Sequence, residues 1–184
     1  MDLFLFIDNS NLFIEMQRVA QLRFNYSDSL VRRVRVDYGR LLEYVKNDRD
    51  LKEAILVGSR PPPNDSLWAR LKQLGIGLKI YERSVFTDKE REVDQELVNC
   101  IRDTMEVSKP PGVIALVSGD GGYVTTLERC VTRGWTVETY FWSQAAASLK
   151  QLGAKMKERG AAGRANFFNL NPDFERITFK EPSR

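Results

Sequence analysis

Two short runs of apolar residues constrain the fold of this chain more than any other feature. The first is LFLFI at 3–7 and the second is VIALVS at 113–118. A short continuous apolar run is typical of a strand that is buried on both faces of a parallel sheet. We therefore expect these two strands at the centre of the sheet.

The rest of the chain alternates between strand and helix patterns with little between them. Further strands are expected at 54–58, 77–83 and 135–142. Apolar residues at helical spacing predict helices at 12–19, 41–45, 67–71, 90–106, 124–131 and 145–157. Either FFNL at 167–170 or ITF at 177–179 adds an edge strand. This alternation predicts an α/β fold, a three-layer α/β/α sandwich around a mainly parallel sheet of five or six strands.

The length of 184 residues fits a single domain, 1–184, in which 168–184 forms an edge strand or a basic tail. No run approaches the ~18 apolar residues that are needed to span a bilayer. The beginning, MDLFLFIDNSN, lacks the basic segment of a signal peptide. We expect a cytoplasmic protein without a membrane partner.

Three aspartates lie where an apolar strand ends or a helix begins. Asp8 ends the first strand, Asp120 closely follows the strand at 113–118, and Asp94 lies early in the helix after the strand at 77–83. In open parallel sheets, ligands bind beyond the carboxyl ends of the strands, where the strand order reverses. Carboxylates that converge there repel one another unless a cation lies between them, and Mg²⁺ or Mn²⁺ prefers such oxygen ligands. The spacing therefore predicts one shared metal site.

The sequence contains no histidine. This absence excludes Ser/His/Asp and Cys/His triads, histidine-dependent ribonuclease chemistry and histidine-ligated zinc. The two cysteines, Cys100 and Cys130, lie within predicted helices without a CxxC partner, and we interpret them as buried apolar residues. Any catalysis must therefore use carboxylates and a metal.

The net charge of +3 is unevenly spread along the chain. From residue 147 onward there are eight Lys or Arg against four acids, and a second basic cluster consists of Arg32, Arg33 and Arg35. Basic clusters can contact phosphates, although a charge run is also typical of a solvated face. Among aromatic residues near the predicted rim of the sheet, Tyr26 and Phe86 are expected to be exposed, where bases can stack on them.

Five segments together resemble the NYN domain, a branch of the PIN-like metal-dependent nucleases. They are FIDNSN, VGSRPPPNDSLWARLKQLG, KEREVDQEL, VSGDGGY and GWTVETYFW. The resemblance extends to about residue 168, and the specificity comes from the order and spacing of these motifs. It implies a PIN-like fold, Mg²⁺ or Mn²⁺ as cofactor, and RNA as substrate.

The resemblance also implies roles for particular residues. Three aspartates match the acids of the family that bind the metal and act in catalysis: Asp8, Asp94 and Asp120. Asn11 matches the last polar residue of the family's first motif, which is FIDNSN here. Where the family usually has a second aspartate after the one at Asp120, this sequence has Gly122, so a fourth carboxylate is missing. Glu90 lies on the same helical face as Asp94 and is either a replacement acid or a favourable first-turn charge.

Several polar residues near these acids are candidates for binding the substrate. Ser118 belongs to a glycine-rich loop whose N–H groups can hold a phosphate oxygen. Four polar residues are expected to orient metal-bound waters, although capping accounts for Asn9 as well: Asn9, Asn11, Ser118 and Thr125. Arg60 is expected on the same rim, where it either meets the scissile strand or is solvated.

We therefore expect a metal-dependent endoribonuclease that uses metal-activated water to cleave RNA, either single-stranded or structured. The protein is expected to act alone, with a second copy of this chain or with another protein. The alternative is a PIN-like RNA-binding module that Gly122 leaves weakened or inactive. An aspartyl-phosphate phosphatase would need an acid in place of Ser10, and a dinucleotide-binding fold would need G-x-G-x-x-G after the first strand. Neither is present.

Overall fold

The computed structural model describes residues 1–59, 69, 72–81 and 89–182, with the backbone alone at 59, 78–81 and 89–94. The strands are β1 (Asp2–Asp8), β2 (Val34–Val36), β3 (Asp50–Ser59), β4 (Gly77–Tyr81), β5 (Val113–Val117), β6 (Thr136–Phe141), β7 (Arg164–Asn169) and β8 (Thr178–Lys180). The helices are α1 (Asn9–Phe24), α2 (Asp28–Val31), α3 (Tyr38–Lys46), α4 (Lys89–Val107), α5 (Val124–Thr132), α6 (Ala147–Glu158) and α7 (Phe174–Ile177). Residues 67, 68, 70 and 71 of the predicted helix and the end of the strand predicted at 77–83 lie outside the described residues, and residue 69 is helical.

Six strands form one sheet in the order β4-β3-β1-β5-β6-β7, and every neighbouring pair is parallel. The strand order reverses between β1 and β5, because β3 and β4 extend to one side and β6 and β7 to the other. The α/β fold and the central position of the two apolar strands are therefore confirmed. The carboxyl ends of β1 and β5 lie side by side at the switch point.

Both faces of the sheet are covered by helices, as a three-layer sandwich requires. In β1, Leu3, Leu5 and Ile7 belong to one core, and Phe4 and Phe6 belong to the other. Buried residues of α1 and α3 complete the first core, and those of α4, α5 and α6 complete the second. The alternation explains why β1 is apolar at consecutive positions, since neighbouring side chains point to opposite faces and both are buried.

The two predicted edge strands have different outcomes. The first three residues of FFNL lie in β7, which is the outer parallel strand next to β6, and Leu170 follows the strand. ITF does not join this sheet, because β8 pairs antiparallel with β2 in a separate two-stranded ribbon. The V-x-V alternation of β2 buries Val34 and Val36, and β8 provides the partner for its backbone.

Both cysteines are free and buried, as the sequence predicts. Among the helices of the described residues, none is long and apolar enough to cross a membrane.

Candidate active site

Asp8 is the last residue of β1 and the N-cap of α1. Its Oδ1 atom accepts a hydrogen bond from the backbone N–H of Asn11 at 3.1 Å. An aspartate at this position stabilises a helix, because the first N–H groups of a helix have no partner within it. Only 3% of Asp8 is exposed to solvent. The carboxylate is thus held in one orientation at the carboxyl end of the sheet.

The second carboxylate oxygen of Asp8 faces two hydroxyl groups. Ser118 Oγ and the Tyr123 hydroxyl both donate to Asp8 Oδ2 at 3.3 Å. Ser118 immediately follows β5, and Tyr123 ends the short 3₁₀ helix Gly121–Tyr123. Hydrogen bonds to a carboxylate stabilise its ionised form, so these donors offset part of the cost of burying it.

Ser118 connects the two predicted acids of the switch point. Its Oγ accepts the backbone N–H of Asp120 at 3.2 Å, and its single hydroxyl proton is shared between Asp8 Oδ2 and Asn11 Oδ1, each at 3.3 Å. Asn11 Oδ1 also accepts the N–H of Gly119 at 2.9 Å. The beginning of α1 and the loop after β5 therefore form one hydrogen-bonded unit.

Asp120 caps the 3₁₀ helix with one oxygen. Its Oδ1 atom accepts the N–H of Gly122 at 2.8 Å. Its Oδ2 atom has no hydrogen-bond or ion-pair partner among the residues that the structure describes, and Asp120 is half-buried. One oxygen of Asp120 is therefore directed by the loop, and the other is available to a ligand.

Two glycines of the loop, Gly119 and Gly122, differ in how much space a side chain would have. A Cβ atom at Gly119 would lie 2.1 Å from Cδ1 of Phe141, so no side chain fits there. A Cβ atom at Gly122 would lie 3.3 Å from Oδ1 of Asp120, which is tight but would need a shift of only a few tenths of an ångström. Gly119 is thus required by packing, whereas Gly122 is replaceable.

The remaining predicted site residues do not join this unit. Asn9 accepts a hydrogen bond from the Tyr38 hydroxyl, and a Cβ atom at Gly58 would lie 2.9 Å from the Asn9 Cβ, so Asn9 packs α1 against α3 and β3. Thr125 is exposed on α5, and its side chain has no hydrogen bond within the described part of the chain. Arg60 lies outside the described residues.

Asp94, the predicted third ligand, lies in the first turns of α4 together with Glu90. The structure describes only the backbone of both residues. In the described part of the chain, no three acidic, histidine or cysteine residues are grouped closely enough to hold a metal ion. Convergence of all three aspartates remains a prediction.

The aromatic predictions require one correction and one addition. Tyr26 is half-buried rather than exposed, because it packs against Phe24 and Phe174. Phe86 lies outside the described residues. Tyr123 was not predicted to contact the acids, although its position directly after the glycine turn is a signal that could have suggested it.

Comparisons with known proteins point to one family. The profile of the NYN domain matches residues 2–156. A crystal structure of a protein of unknown function from Vibrio parahaemolyticus has a similar fold, with a TM-score of 0.58 at 16% sequence identity over 92% of this chain and 94% of that one. A comparison with curated proteins found no match.

Proposed function

This chain belongs to the NYN domain family, a PIN-like nuclease family, and we propose that it is a metal-dependent endoribonuclease that hydrolyses RNA phosphodiester bonds. One observation carries the proposal. Asp8 and Asp120 follow the two neighbouring strands at the switch point of the sheet, and Ser118 hydrogen-bonds to the side chain of one and the backbone of the other. This is where an open parallel sheet binds its ligands.

The donor chemistry of the site fits a hard divalent cation. The side chains that would bind Mg²⁺ or Mn²⁺ are Asp8 and Asp120, together with Asp94, and they offer only carboxylate oxygens. A cation bound there would lower the pKa of a coordinated water and neutralise charge that develops on the phosphate.

The protein's own contribution is orientation. Donors from Asn11, Ser118 and Tyr123 hold the Asp8 carboxylate, so it needs little reorganisation when a ligand arrives. The oxygen of Asp120 that faces no protein donor among the described residues belongs to the proposed ligand set.

RNA as the substrate class rests on the family. Free cysteines fit a reducing compartment, and the proposal therefore places the activity in the cytoplasm.

The second candidate function is an RNA-binding module that does not cleave. The observation that favours it is Gly122, which stands where the family usually has an acid and offers only its N–H to Asp120. With one carboxylate fewer, the site attracts a divalent cation less strongly, and a second ion is less securely held.

The test is cleavage of a labelled RNA that contains single-stranded and hairpin parts, with Mg²⁺, Mn²⁺ or EDTA. Three variants accompany the wild-type protein: Asp120→Asn, Gly122→Asp and, as a matched control, Asp103→Asn at an exposed position on α4. Asparagine keeps an oxygen that can accept the N–H of Gly122, so Asp120→Asn changes the charge with little effect on the loop.

The endoribonuclease proposal expects metal-dependent cleavage by the wild type and by Asp103→Asn, loss in Asp120→Asn and a faster reaction in Gly122→Asp. If the wild type binds the RNA but is as inert as Asp120→Asn in both metals, and Gly122→Asp restores cleavage, the binding module is the better description. Equal cleavage by Asp120→Asn and the wild type would refute the proposed site.

A further inference from the structure

The two-stranded ribbon formed by β2 and β8 is basic and lies outside the main sheet. We define the basic ribbon as residues 32–36 and 178–181. Val34 and Val36 face the core, whereas Arg35 lies between them and pairs in register with Phe179. Because side chains alternate along a strand, Arg35 and Phe179 share the outer face, whereas Lys180, which pairs with Val34, leaves β8 on the other side and is exposed there.

The charge of the ribbon equals the net charge of the whole chain. It contains Arg32, Arg33, Arg35 and Lys180 against a single acid, Glu181, which gives +3, and the net charge of the protein is also +3. The other residues of the chain therefore sum to zero. The ribbon is therefore one of the parts of the chain that carry an excess of positive charge.

Two of these cations contact Glu181, and the other two have no carboxylate partner among the described residues, although Lys180 lies over the ring of Tyr26. Arg33 Nε donates to the backbone oxygen of Glu181 at 2.7 Å, and Arg35 forms an ion pair with the Glu181 carboxylate at 3.0 Å. These contacts tie the end of the chain to β2. Arg32 and Lys180 are exposed and form no ion pair with any described residue. Their charge is available to a ligand.

Aromatic rings lie beside two of the cations of the ribbon. Phe179 is 46% exposed, which is a large fraction for a phenylalanine on a packed protein. Lys180 Nζ lies 4.6 Å from the ring centroid of Tyr26, and Arg35 Cζ lies 5.8 Å from that of Phe13. A solvated basic face needs no exposed ring, whereas a single-stranded nucleic acid is held by cations on its phosphates and by rings under its bases.

The basic ribbon contacts α1, the helix that begins at the candidate active site. Phe13, beneath Arg35, follows Asn11 by two residues on α1. Tyr38, two residues after the end of β2, donates a hydrogen bond to Asn9. The residues that follow β2 therefore lie next to the beginning of α1, where Asp8 lies.

From these observations we infer that the basic ribbon binds single-stranded nucleic acid, with Arg32 and Lys180 on the phosphates and a base stacked on Phe179. The inference deepens the proposed function, because it assigns the surface that would carry RNA to the site. It does not depend on catalysis. The NYN profile ends at residue 156, so β8 lies beyond the part of the chain that the family describes.

The experiment measures binding of labelled single-stranded RNA by fluorescence anisotropy in EDTA, over a range of salt concentrations. Two variants carry the test: the double variant Arg32→Ser/Lys180→Ser and Phe179→Leu, which keeps apolar area but loses the ring. The matched controls are Arg102→Ser/Lys157→Ser, which removes two exposed cations outside the ribbon, and Phe179→Trp, which retains a ring. Circular dichroism and urea unfolding confirm that each variant folds.

We expect Phe179→Leu to weaken binding by about five- to a hundred-fold, in line with the loss of one stacked base, and Phe179→Trp to bind as the wild type. The double ribbon variant should reduce the slope of log affinity against log salt by about 1.4, since two phosphate contacts are lost. The control double variant should leave this slope nearly unchanged.

Three outcomes would overturn the inference: equal losses in the ribbon and control double variants, unchanged binding by Phe179→Leu, or tighter binding of a duplex than of a single strand. Parallel titrations with single-stranded DNA show whether the ligand is RNA alone. Because EDTA prevents metal-dependent cleavage, ribbon binding can persist when the nuclease proposal fails. Conversely, cleavage that is lost in Asp120→Asn with no effect of the ribbon variants refutes only the ribbon.

Discussion

Replacing Ser118 with alanine tests whether one hydroxyl group holds the candidate site together. Ser118 is fully buried, and its Oγ atom accepts the N–H of Asp120 while its proton is shared between Asp8 and Asn11. Alanine fits the same space but can neither accept nor donate. The change therefore removes the connection between the two acids without overpacking the core.

The magnitude follows from the bonds that are lost. A hydrogen bond to a charged group contributes about 1.5–3 kcal/mol, and a buried N–H that loses its partner costs about 1–3 kcal/mol. Two facts reduce the sum: the hydroxyl distances of 3.3 Å are long, and half-buried Asp120 has access to water. We expect Ser118→Ala to lower the free energy of unfolding by about 2–3 kcal/mol.

Urea unfolding at neutral pH, followed by tryptophan fluorescence, measures this change. With a denaturant slope of about 2 kcal/mol/M, the midpoint should fall by about 1–1.5 M. Ser148→Ala, at an exposed position of α6, is the matched control and should leave the midpoint nearly unchanged. A loss below about 0.5 kcal/mol for Ser118→Ala would show that the hydroxyl does not hold the two segments together.

Three further predictions concern packing and titration. Gly119→Ala should lower the free energy of unfolding by about 1–3 kcal/mol or more, because its Cβ would lie 2.1 Å from the Phe141 ring, and an unchanged urea midpoint would contradict this packing. Burial, and then a hydrogen bond to Glu138, raise the pKa of Tyr140. The neutral Tyr140 hydroxyl therefore contributes fully to the free energy of unfolding below the ordinary tyrosine pKa of ~10, and this contribution is lost as the pH rises above that value. Tyr140→Phe should therefore reduce the fall in unfolding free energy between about pH 9 and 11.5, and identical pH profiles would refute this. Burial raises the pKa of the Cys130 thiol to about 12, so iodoacetamide at about pH 8 should label it only after unfolding, as mass spectrometry would show; rapid labelling of the native protein would contradict it.

The sequence was most informative where burial dictates residue type. Strands β1 and β5 could be predicted because a strand covered on both faces must be apolar at every position. Their central positions then predicted that Asp8 and Asp120 lie at neighbouring strand ends, which the parallel pairing of β1 with β5 supports.

Long-range pairings and side-chain networks were harder to predict. The partnership of β2 with β8 joins segments that are more than 140 residues apart, and three-residue strands carry too little periodicity to indicate a partner. The contact of Tyr123 with Asp8 depends on the 3₁₀ helix that turns the ring inward. Polar residues near a glycine turn predict a site, but which of their side chains form hydrogen bonds with one another depends on the folded backbone.

The glycine at position 122 connects the stability of the site with the proposed binding of a metal. The N–H of Gly122 holds Asp120 Oδ1 at 2.8 Å, and a Cβ there would lie 3.3 Å from the same oxygen. An aspartate at 122 would therefore crowd Asp120 and add a second negative charge beside it, which is costly until a cation lies between them. Gly122→Asp should consequently lower the unfolding free energy in EDTA yet gain more stability from added Mn²⁺ than the wild type does. Thermal unfolding with and without Mn²⁺ measures both changes, and an equal Mn²⁺-induced shift in the two proteins would show that position 122 does not face the metal.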